Sequence, residues 1–295
     1  MEKYIAFDIG GTKVKHGLVL ADGTIIHKGS YRTDCDSLEI FLADMLRVIE
    51  EYGQEEAAGI AISMPGFINV DTGYAEWAGA VAALQGQNLK QLLVERTSLR
   101  VEIENDGNCA ALAEKLNGNA VECRNFICLT IGTGIGGGIF VNDQIVHGHR
   151  FRGGEFGFMF TQASDTNKDS MHDNASTAAL IKKYKEYKGI ETPVEGADVF
   201  AEAYRDEEVK RILDQWYSSL SYGIYNLAAT LNPQKILIGG GVSAREEIAA
   251  ELTTKLEALP YWEMLQVPLQ VCKHRNDAGL LGAVCHFQRT STQDN

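Results

Sequence analysis

The chain contains the same pattern of strand, glycine loop and strand twice, and this repeat restricts its fold more than any other feature. The first copy is "YIAFDIGGTKVKHGLVLADGTII" at 4–26, and the second is "FICLTIGTGIGGGIFVNDQIV" at 126–146. Gly10 aligns with Gly132, and a small shift then brings the later glycines together. Two unrelated glycine hairpins can align this well by chance, but each copy is followed by strand and helix signals of similar order. We therefore expect a duplicated α/β fold with a cleft between its halves.

A chain of 295 residues has room for about two domains of ordinary size. We expect an N-terminal α/β lobe at 1–117 and a C-terminal α/β lobe at 118–278. A last helix, at about 279–295, is expected to pack back on the first lobe. Apolar residues at helical spacing predict the other main helices, at 37–53, 88–98, 108–118, 177–188 and 206–233.

Polar residues indicate the boundaries of elements in the second half. Ser176 is placed to cap the helix that follows it. Ser243, with Glu246 further along, has the spacing of a capping box and predicts a helix start. The polar segment 161–174 predicts a surface loop.

Charge and composition exclude several classes of protein. A net charge of −13 repels the nucleic-acid backbone, and no basic patch offsets it, so we expect no nucleic-acid partner. No apolar run approaches the roughly 18 residues that span a bilayer, so we expect no membrane partner. The 6 cysteines contain no CxxC pair, which is typical of reduced thiols in the cytoplasm.

The first glycine loop can present its main chain to an anion. Glycine lets a ligand approach the backbone closely, so amides beside Gly10, Gly11 and Thr12 can surround a phosphate. Asp8 ends an otherwise apolar strand, where a carboxylate needs a cation or hydrogen-bond donors, and it is suited to hold Mg²⁺ through water. A plain hairpin turn is the alternative interpretation.

Two further glycine loops extend the phosphate hypothesis. In "TIGTGIGGG" at 130–138, Thr133 can donate its hydroxyl to a phosphate while Gly132 and Gly134 keep the main chain accessible. The third loop is "LIGGGV" at 237–242, and its glycines are Gly239, Gly240 and Gly241. Two phosphate loops across a cleft, with a third beside the base, indicate a nucleoside triphosphate site.

Asp106 is the candidate catalytic group. The motif "ENDGN" at 104–108 follows a predicted strand and opens a predicted helix, which places the aspartate at the mouth of the cleft. There it can accept the proton of a hydroxyl that attacks a phosphate, and a positioned base of this kind adds about 10² to 10⁴ in rate. Capping of the following helix is the alternative role, and the two roles are compatible.

Five motifs in order, "DIGGTK", "ENDGNCAALAE", "LTIGTGIGGGI", "GGEFG" and "ILIGGGV", resemble the ROK family of sugar kinases. The resemblance covers nearly the whole chain. It implies a two-lobed, actin-like ATPase fold of the ribonuclease H-like type, with ATP and Mg²⁺ as cofactors. It also implies that Asp8 to Lys13 and Gly132 to Gly138 are the phosphate loops, that Gly239 to Gly241 lie near adenosine, and that Asp106 is the base.

The same resemblance assigns residues to a sugar substrate. Asn105 and Glu155 match positions that hydrogen-bond sugar hydroxyls, and Gly66 and Trp77 are expected beside them. The segment "EWAGAVAALQGQ" at 76–87 replaces the usual asparagine-leucine sugar loop with small residues. These leave room for a second sugar ring, on which Trp77 can stack, although a core position for Trp77 is the alternative.

Departures from the family pattern concern zinc. Phe158 occupies the expected position of a zinc-binding histidine, and no cysteine lies between Cys128 and Cys272. We therefore expect no zinc site. His172 remains in this stretch and is expected to be a surface residue.

The zinc-free pattern looks most like the β-glucoside kinases of this family, which phosphorylate the 6-hydroxyl of the nonreducing glucose in disaccharides such as cellobiose. A glucokinase or an N-acetylmannosamine kinase of the same family is the alternative. A non-catalytic nucleotide-binding scaffold is the alternative of another class. The resemblance further implies a cytoplasmic homodimer with a small-molecule sugar substrate.

Overall fold

Strands and helices alternate through both halves of the chain. The structure is a computed structural model that describes residues 1–53, 57–162 and 169–293. The elements of the first half are β1 (Lys3–Ile9), β2 (Lys13–Leu20), β3 (Ile25–Arg32), α1 (Leu38–Tyr52), β4 (Gly59–Met64), β5 (Phe67–Asn69), β6 (Tyr74–Trp77), α2 (Leu89–Thr97), β7 (Val101–Asn105) and α3 (Asp106–Asn117).

The second half repeats the early part of this order and then adds helices. Its elements are β8 (Phe126–Ile131), β9 (Ile135–Val141), β10 (Gln144–Ile145), α4 (Met171–Ala175), α5 (Thr177–Lys188), α6 (Gly196–Glu202), α7 (Glu207–Leu231), β11 (Lys235–Gly239), α8 (Ile248–Glu257), α9 (Trp262–Leu265), β12 (Leu269–Val271) and α10 (Ala278–Gln293). None of the helices that the structure describes is both long enough and apolar enough to cross a bilayer.

The two main sheets have the same topology. One sheet has the order β3-β2-β1-β4-β7, and the other has the order β10-β9-β8-β11-β12. In each sheet the hairpin strands pair antiparallel, and the strands that follow the hairpin pair parallel. A chance match between two hairpins would not reproduce the order of five strands, so the predicted duplication is confirmed.

Parallel pairing brings functional segments to one edge of each sheet. Asp8 on β1 pairs with Ser63 on β4, and Met64 on β4 pairs with Asn105 on β7. In the second sheet, Gly239 on β11 pairs with Thr130 on β8. Because parallel strands end at the same edge, the loops after β1, β4 and β7 lie side by side, as do those after β8 and β11.

Hydrophobic burial explains which strands lie at the centre. Every residue of β4 is buried, as expected for a parallel strand covered on both faces. One core cluster joins the first sheet to α1, through Phe41, Met45 and Ile49. Another joins the second sheet to α7, whose Trp216 is almost fully buried. Each sheet therefore has its own core.

Most predicted helices are confirmed, and two local predictions are wrong. The hydroxyl of Ser176 accepts a hydrogen bond from the Ala179 main-chain N at 3.0 Å, so the predicted cap of α5 is confirmed. Ser243 caps no α-helix: it lies in a short 3-10 turn and donates to the Gly240 carbonyl at 2.7 Å, while α8 begins at Ile248. The Ser243 hydroxyl therefore pairs with a carbonyl of this turn and not with the start of an α-helix.

The segment 161–174 is not a loop throughout. Its end forms the start of α4, where Asp173 Oδ2 accepts from the Ser170 main-chain N at 2.9 Å and from the Ser170 hydroxyl at 2.6 Å. Residues 163–168 of the predicted loop lie outside the described part of the chain. The sequence prediction failed because α4 is only one turn long and is held by packing rather than by its own hydrophobic periodicity.

The last helix packs on elements of the first half. In α10, Leu280 and Val284 are buried with Ala6 of β1 and Cys109 of α3. The rings of Tyr4 and Phe287 lie 5.1 Å apart between their centroids. We propose on these contacts that α10 belongs with the N-terminal lobe.

Gly282 permits the close crossing of α10 and α3, and its replacement tests that packing. A Cβ at Gly282 would lie 1.9 Å from the Cys109 carbonyl oxygen, so Gly282→Ala forces two packed helices apart. We expect the free energy of unfolding in urea to fall by about 1 to 3 kcal/mol. Gly241→Ala is the control, because the space around Gly241 is open within 4 Å. Equal stability of both variants and the parent chain would contradict this packing.

Candidate active site

A cavity lies where the carboxyl ends of strands from both sheets meet, and it has a volume of about 440 Å³. The predicted site residues that line it are Gly10, Gly11, Gly66, Trp77, Asn105, Asp106, Gly132, Thr133, Gly134, Glu155 and Gly240. Residues from distant parts of both halves therefore share one site.

The other predicted site residues lie beside this cavity. Asp8 is the penultimate residue of β1, and Lys13 is the exposed first residue of β2. Thr12 lines a neighbouring cavity, and Gly239 is buried at the end of β11. Gly241 lines a separate cavity next to Gly240. The structure therefore places these five residues next to the cavity but not in its wall.

The first glycine loop is fixed from behind through its carbonyl groups. The Thr33 hydroxyl donates to the Gly10 carbonyl at 2.6 Å, and the Cys35 thiol donates to the Gly11 carbonyl at 3.1 Å. The main-chain N of Thr33 donates to the Thr12 carbonyl at 3.2 Å. With its carbonyls engaged on one side, the loop keeps the other, exposed side of Gly11 towards the cavity.

The segment 76–87 touches this loop directly. A Cβ at Gly11 would lie 2.6 Å from the Cβ of Ala80, so any side chain at Gly11 would collide with it. Gly11 and Ala80 can therefore lie this close because both residues are small. This contact sets the width of the cavity between the loop and the segment.

The second glycine loop is held by α5 and α4. The main-chain N of Thr177 donates to the Gly132 carbonyl at 2.9 Å, and Gly132 N donates to the Gly134 carbonyl at 2.9 Å. His172 accepts a hydrogen bond from Ile135 N at 2.9 Å through Nδ1, and it lines the cavity. The loop is therefore supported on both flanks.

The prediction that His172 is a surface residue is wrong. Its ring is half-buried, and partial burial lowers its pKa. It also meets the ring of Phe158 edge-on at 5.3 Å between centroids. No local pattern marks this position, because His172 belongs to the polar segment 161–174 and reaches the cavity only through tertiary packing.

The third glycine loop connects this cavity to a second one. Gly240 has a φ of +77°, and a Cβ there would lie 2.4 Å from the Ile131 carbonyl oxygen, so only glycine fits. The second cavity, of about 590 Å³, begins at Gly241 and has Phe200, Tyr204 and Arg245 in its wall. The two cavities adjoin across the backbone of Gly240 and Gly241.

Asn105, rather than Asp106, is the N-cap of α3. Asn105 Oδ1 accepts from the main-chain N of Gly107 at 2.8 Å and of Asn108 at 3.1 Å. Its Nδ2 donates to the Gly66 carbonyl at 3.0 Å. Asp106 is thereby the first helical residue, and its Oδ1 accepts from Gly107 N at 2.8 Å.

Three glycines bring α3 against the second half of the chain. A Cβ at Gly107 would lie 2.7 Å from the main-chain N of Gly137 on β9. A Cβ at Gly154 would lie 2.2 Å from the Gly137 carbonyl oxygen. The backbones beside Asp106 and Glu155 therefore both touch the strand that follows the second glycine loop.

Asp106 and Glu155 hold their protons more tightly than usual. Although the surface of Asp106 is open to the cavity, it lies deep between the cleft walls, and loss of hydration together with the charge of Asp8 raises its pKa to about 6. Partial burial and the charge of Asp106 raise the pKa of Glu155 to about 7. A carboxylate with a pKa near neutrality is a stronger proton acceptor than an ordinary aspartate.

Aromatic side chains line the mouth of the cavity. Trp77 is 44% exposed and Phe158 is 54% exposed, so the core alternative for Trp77 is excluded. Phe67 lies between them, with ring centroids 5.0 Å from Trp77 and 6.3 Å from Phe158. The guanidinium of Arg152 covers Phe67 at 4.5 Å and reaches Glu76 at 2.6 Å. This rim joins the two halves of the chain above the cavity.

Duplicated sheets with glycine loops facing one another across a cleft define an actin-like ATPase fold. The chain matches the ROK family over residues 4–290, and it belongs to that family. The family that the sequence motifs predict is therefore confirmed.

Individual relatives cover nearly the whole chain. A Listeria monocytogenes protein named as a β-glucoside kinase is 40% identical over 292 residues, which are 97% of each chain. A solved structure from Listeria monocytogenes, described as a candidate N-acetylmannosamine kinase, has a TM-score of 0.91 and 38% identity, covering 98% of this chain and 99% of that one. A ROK family protein from Streptococcus pneumoniae TIGR4, solved in complex with sucrose, has a TM-score of 0.89 and 30% identity, covering 99% of each chain. The predicted fold is confirmed.

Carboxyl NMR titration tests the electrostatics of the cavity. We expect Asp106 to titrate near pH 6 and Glu155 near pH 7, as their raised pKa values require. In Asp106→Asn the midpoint of Glu155 should fall, because a neighbouring negative charge has been removed. Asp22→Asn, a change in an exposed turn, should leave that midpoint unaltered. Midpoints near 4 for both groups would contradict the described environment.

Proposed function

We propose that the chain is a carbohydrate kinase that transfers the γ-phosphoryl group of ATP to a sugar hydroxyl, with Asp106 as the base. The position of Asp106 carries the proposal: it lies in the wall of the cavity that both glycine loops line. Its Oδ1 is engaged by Gly107 N, which leaves Oδ2 to accept the hydroxyl proton. The names of full-length relatives as sugar kinases agree with this activity.

The glycine loops are assigned to the phosphates. Gly10, Gly11 and Thr12 form the first loop, with Lys13 at its end, and Gly132, Thr133 and Gly134 form the second. Gly11 and Thr12 in the first loop and Thr133 and Gly134 in the second are exposed. Phosphoryl transfer depends mainly on alignment and charge neutralisation, which such a pair of loops can supply.

Adenosine is assigned to the second cavity. Directly after the buried Gly239, Gly240 lines the first cavity and Gly241 lines the second, so a nucleotide can extend from one to the other. Aromatic side chains in that wall suit a nucleobase, and the guanidinium of Arg245 packs over Phe200 at 4.9 Å.

The residues around Asp8 fit a water-mediated Mg²⁺. This ion commonly binds through one or two carboxylates, water and substrate phosphates. Lys15 Nζ and Ser63 Oγ hold the two oxygens of Asp8 at 2.9 and 3.0 Å, which fixes the carboxylate and favours contact through water. The charge of Asp8 acts on Asp106, so both carboxylates face the same region. When bound, the ion would neutralise charge on the transferred phosphoryl group.

The sugar is assigned to the part of the cavity between Asp106 and Glu155. Asn105 and Glu155 are placed to hydrogen-bond hydroxyl groups there, and Gly66 lies beside them, with its carbonyl holding the Asn105 amide. Buried polar partners of this kind discriminate between sugars, because each unpaired one costs about 1 to 3 kcal/mol.

We propose a β-glucoside such as cellobiose as the substrate, phosphorylated at its 6-hydroxyl. Relatives named as β-glucoside kinases are 37% to 40% identical to the chain, and the relative in complex with sucrose holds a disaccharide. Trp77 and Phe158 supply exposed aromatic faces at the cavity mouth, where a second ring would lie. Glucose or N-acetylmannosamine is the alternative substrate, and a homodimer is the proposed assembly.

Asp106→Asn tests the base. Replacing the carboxylate removes the proton acceptor while it keeps the shape, so kcat should fall by about 10² to 10⁴ with sugar binding largely retained. Coupled measurement of ADP release, with a sugar titration by calorimetry, checks both. Asp22→Asn should match the parent chain. Unaltered turnover would remove the assignment, and slow hydrolysis that no sugar stimulates would favour the scaffold alternative.

A comparison of cellobiose with glucose tests the second-ring site. Trp77→Ala should lower kcat/KM for cellobiose by about 5- to 30-fold, because ring stacking is lost, and should change that for glucose much less. Tyr74→Ala is the matched control, since Tyr74 lies on the same strand with the same 44% exposure and does not line the cavity. Equal losses for both sugars would contradict a role in holding the second ring.

A further inference from the structure

Glu104 is a buried carboxylate to which the proposed reaction gives no role. It lies on β7 directly before Asn105, and its side chain is fully buried. Its Oε1 accepts from Asn105 N at 2.8 Å and from Asn108 Nδ2 at 3.0 Å. Its Oε2 lies 2.6 Å from His147 Nε2 and 3.3 Å from His286 Nδ1. Burial of a carboxylate costs free energy unless the group is paired and hydrogen-bonded, and the four partners of Glu104 meet this requirement.

The partners of Glu104 come from three separate parts of the chain. Asn105 and Asn108 belong to the junction of β7 and α3. His147 lies in the turn after β10, in the second half, and His286 lies on α10. The Glu104 carboxylate therefore connects the start of α3, which carries Asp106, with the loop after β10 and with α10.

The charges in this cluster are complementary. Burial raises the pKa of Glu104, but the charges and hydrogen bonds of its partners outweigh burial and lower it. Burial lowers the pKa of His147, but its hydrogen bond and charge interaction with Glu104 outweigh burial and raise it. Deep burial keeps the pKa of His286 low. These pKa shifts favour the ionised form of Glu104 and the protonated form of His147, and they disfavour protonation of His286.

Charged groups on neighbouring elements also act on the two histidines. Asp71, which follows β5, favours the protonated form of His147. Glu102 on β7 favours the protonated form of His286, and Lys90 on α2 opposes it. The stability that protonation of His147 adds to its ion pair with Glu104 is present below the ordinary histidine pKa of 6.5 and is lost as pH rises through the raised pKa of His147.

Hydrogen bonds connect this ion pair to the segments that carry both candidate site carboxylates. On one side, Asn105 N donates to Glu104 in the backbone that leads to Asp106. On the other side, the His147 carbonyl accepts from Gly153 N at 2.8 Å in the segment that leads to Glu155.

We propose that Glu104 is a positioning residue for phosphoryl transfer, which holds Asp106 and Glu155 at a fixed separation across the cleft through Asn105 and His147. The proposal rests on the proposed function, because it concerns the geometry of that reaction. Misplacement of a reacting group by about 1 Å can cost about 10² in rate.

Glu104→Gln and His147→Gln test the proposal, with Glu102→Gln as the matched control. Glu102 lies on the same strand, is also buried, and pairs with Lys90 at 2.7 Å and Arg100 at 2.9 Å, remote from the cavity. Turnover of cellobiose and glucose, thermal stability and hydrogen exchange of the peptide 147–155 are measured for each variant. In His147→Gln the side chain still offers a hydrogen-bond donor, and its position is only half-buried. This variant therefore tests the proposal even if Glu104→Gln does not fold.

We expect kcat/KM to fall by about 10- to 100-fold in Glu104→Gln and His147→Gln, with faster exchange in 147–155. Glu102→Gln should lose stability but keep turnover and exchange. In the parent chain, sugar KM should rise with pH as His147 loses its proton, and His147→Gln should lack this part of the rise while it keeps the part that comes from ionisation of Glu155.

A purely structural role predicts a different pattern. If activity in all three variants falls only with stability, or if exchange in 147–155 and the pH profile do not change, the proposal is wrong. The exchange measurement needs no catalysis, so it separates this outcome from failure of the proposed function. A parent chain with no sugar-dependent ADP release would refute the proposed kinase activity, and with it the catalytic role of Glu104.

Discussion

The site depends on the close approach of backbones at Gly107, Gly137 and Gly154. A side chain at Gly107 or Gly154 would collide with the main chain of Gly137, at 2.7 and 2.2 Å. Because these glycines let α3 and the turn before Glu155 touch β9, carboxylates from both halves reach one cavity beside the second glycine loop. The duplicated sheets supply the loops, and this contact sets their distance from the base.

The same geometry concentrates negative charge and lowers stability locally. The raised pKa values of Asp106 and Glu155, about 6 and about 7, mean that the folded chain binds these protons more tightly than the unfolded chain. Their ionisation therefore destabilises the fold as pH rises through those values. Glu104 has the opposite effect, since its lowered pKa adds stability that is lost in acid. The fold thus contains two carboxylates, Asp106 and Glu155, whose ionisation lowers its stability, and a third, Glu104, whose ionisation raises it.

Sequence reasoning predicted the repeat, the three glycine loops and Asp106, because each depends on local patterns in the chain. It missed Glu104, since a glutamate in "VEIEN" resembles the outward face of an alternating strand, and its histidines lie far away in the sequence. His172 was missed because its partner in the second glycine loop, Ile135, lies far away in the sequence. Ser243 had the spacing of a capping box, but the backbone at Gly240 turns before any helix begins. Contacts between distant segments decided the cases of Glu104 and His172, and a local turn decided that of Ser243.

The most direct measurement is a crystal structure with a non-hydrolysable ATP analogue and cellobiose bound together. We expect the phosphates to contact the main chain of Gly11 and Thr12 and of Gly132 to Gly134. One hydroxyl of the terminal glucose should lie within about 3 Å of Asp106 Oδ2, aligned with the γ-phosphate. Phosphates that bind away from both loops, or a sugar whose hydroxyl groups do not reach Asp106, would contradict the proposed mechanism.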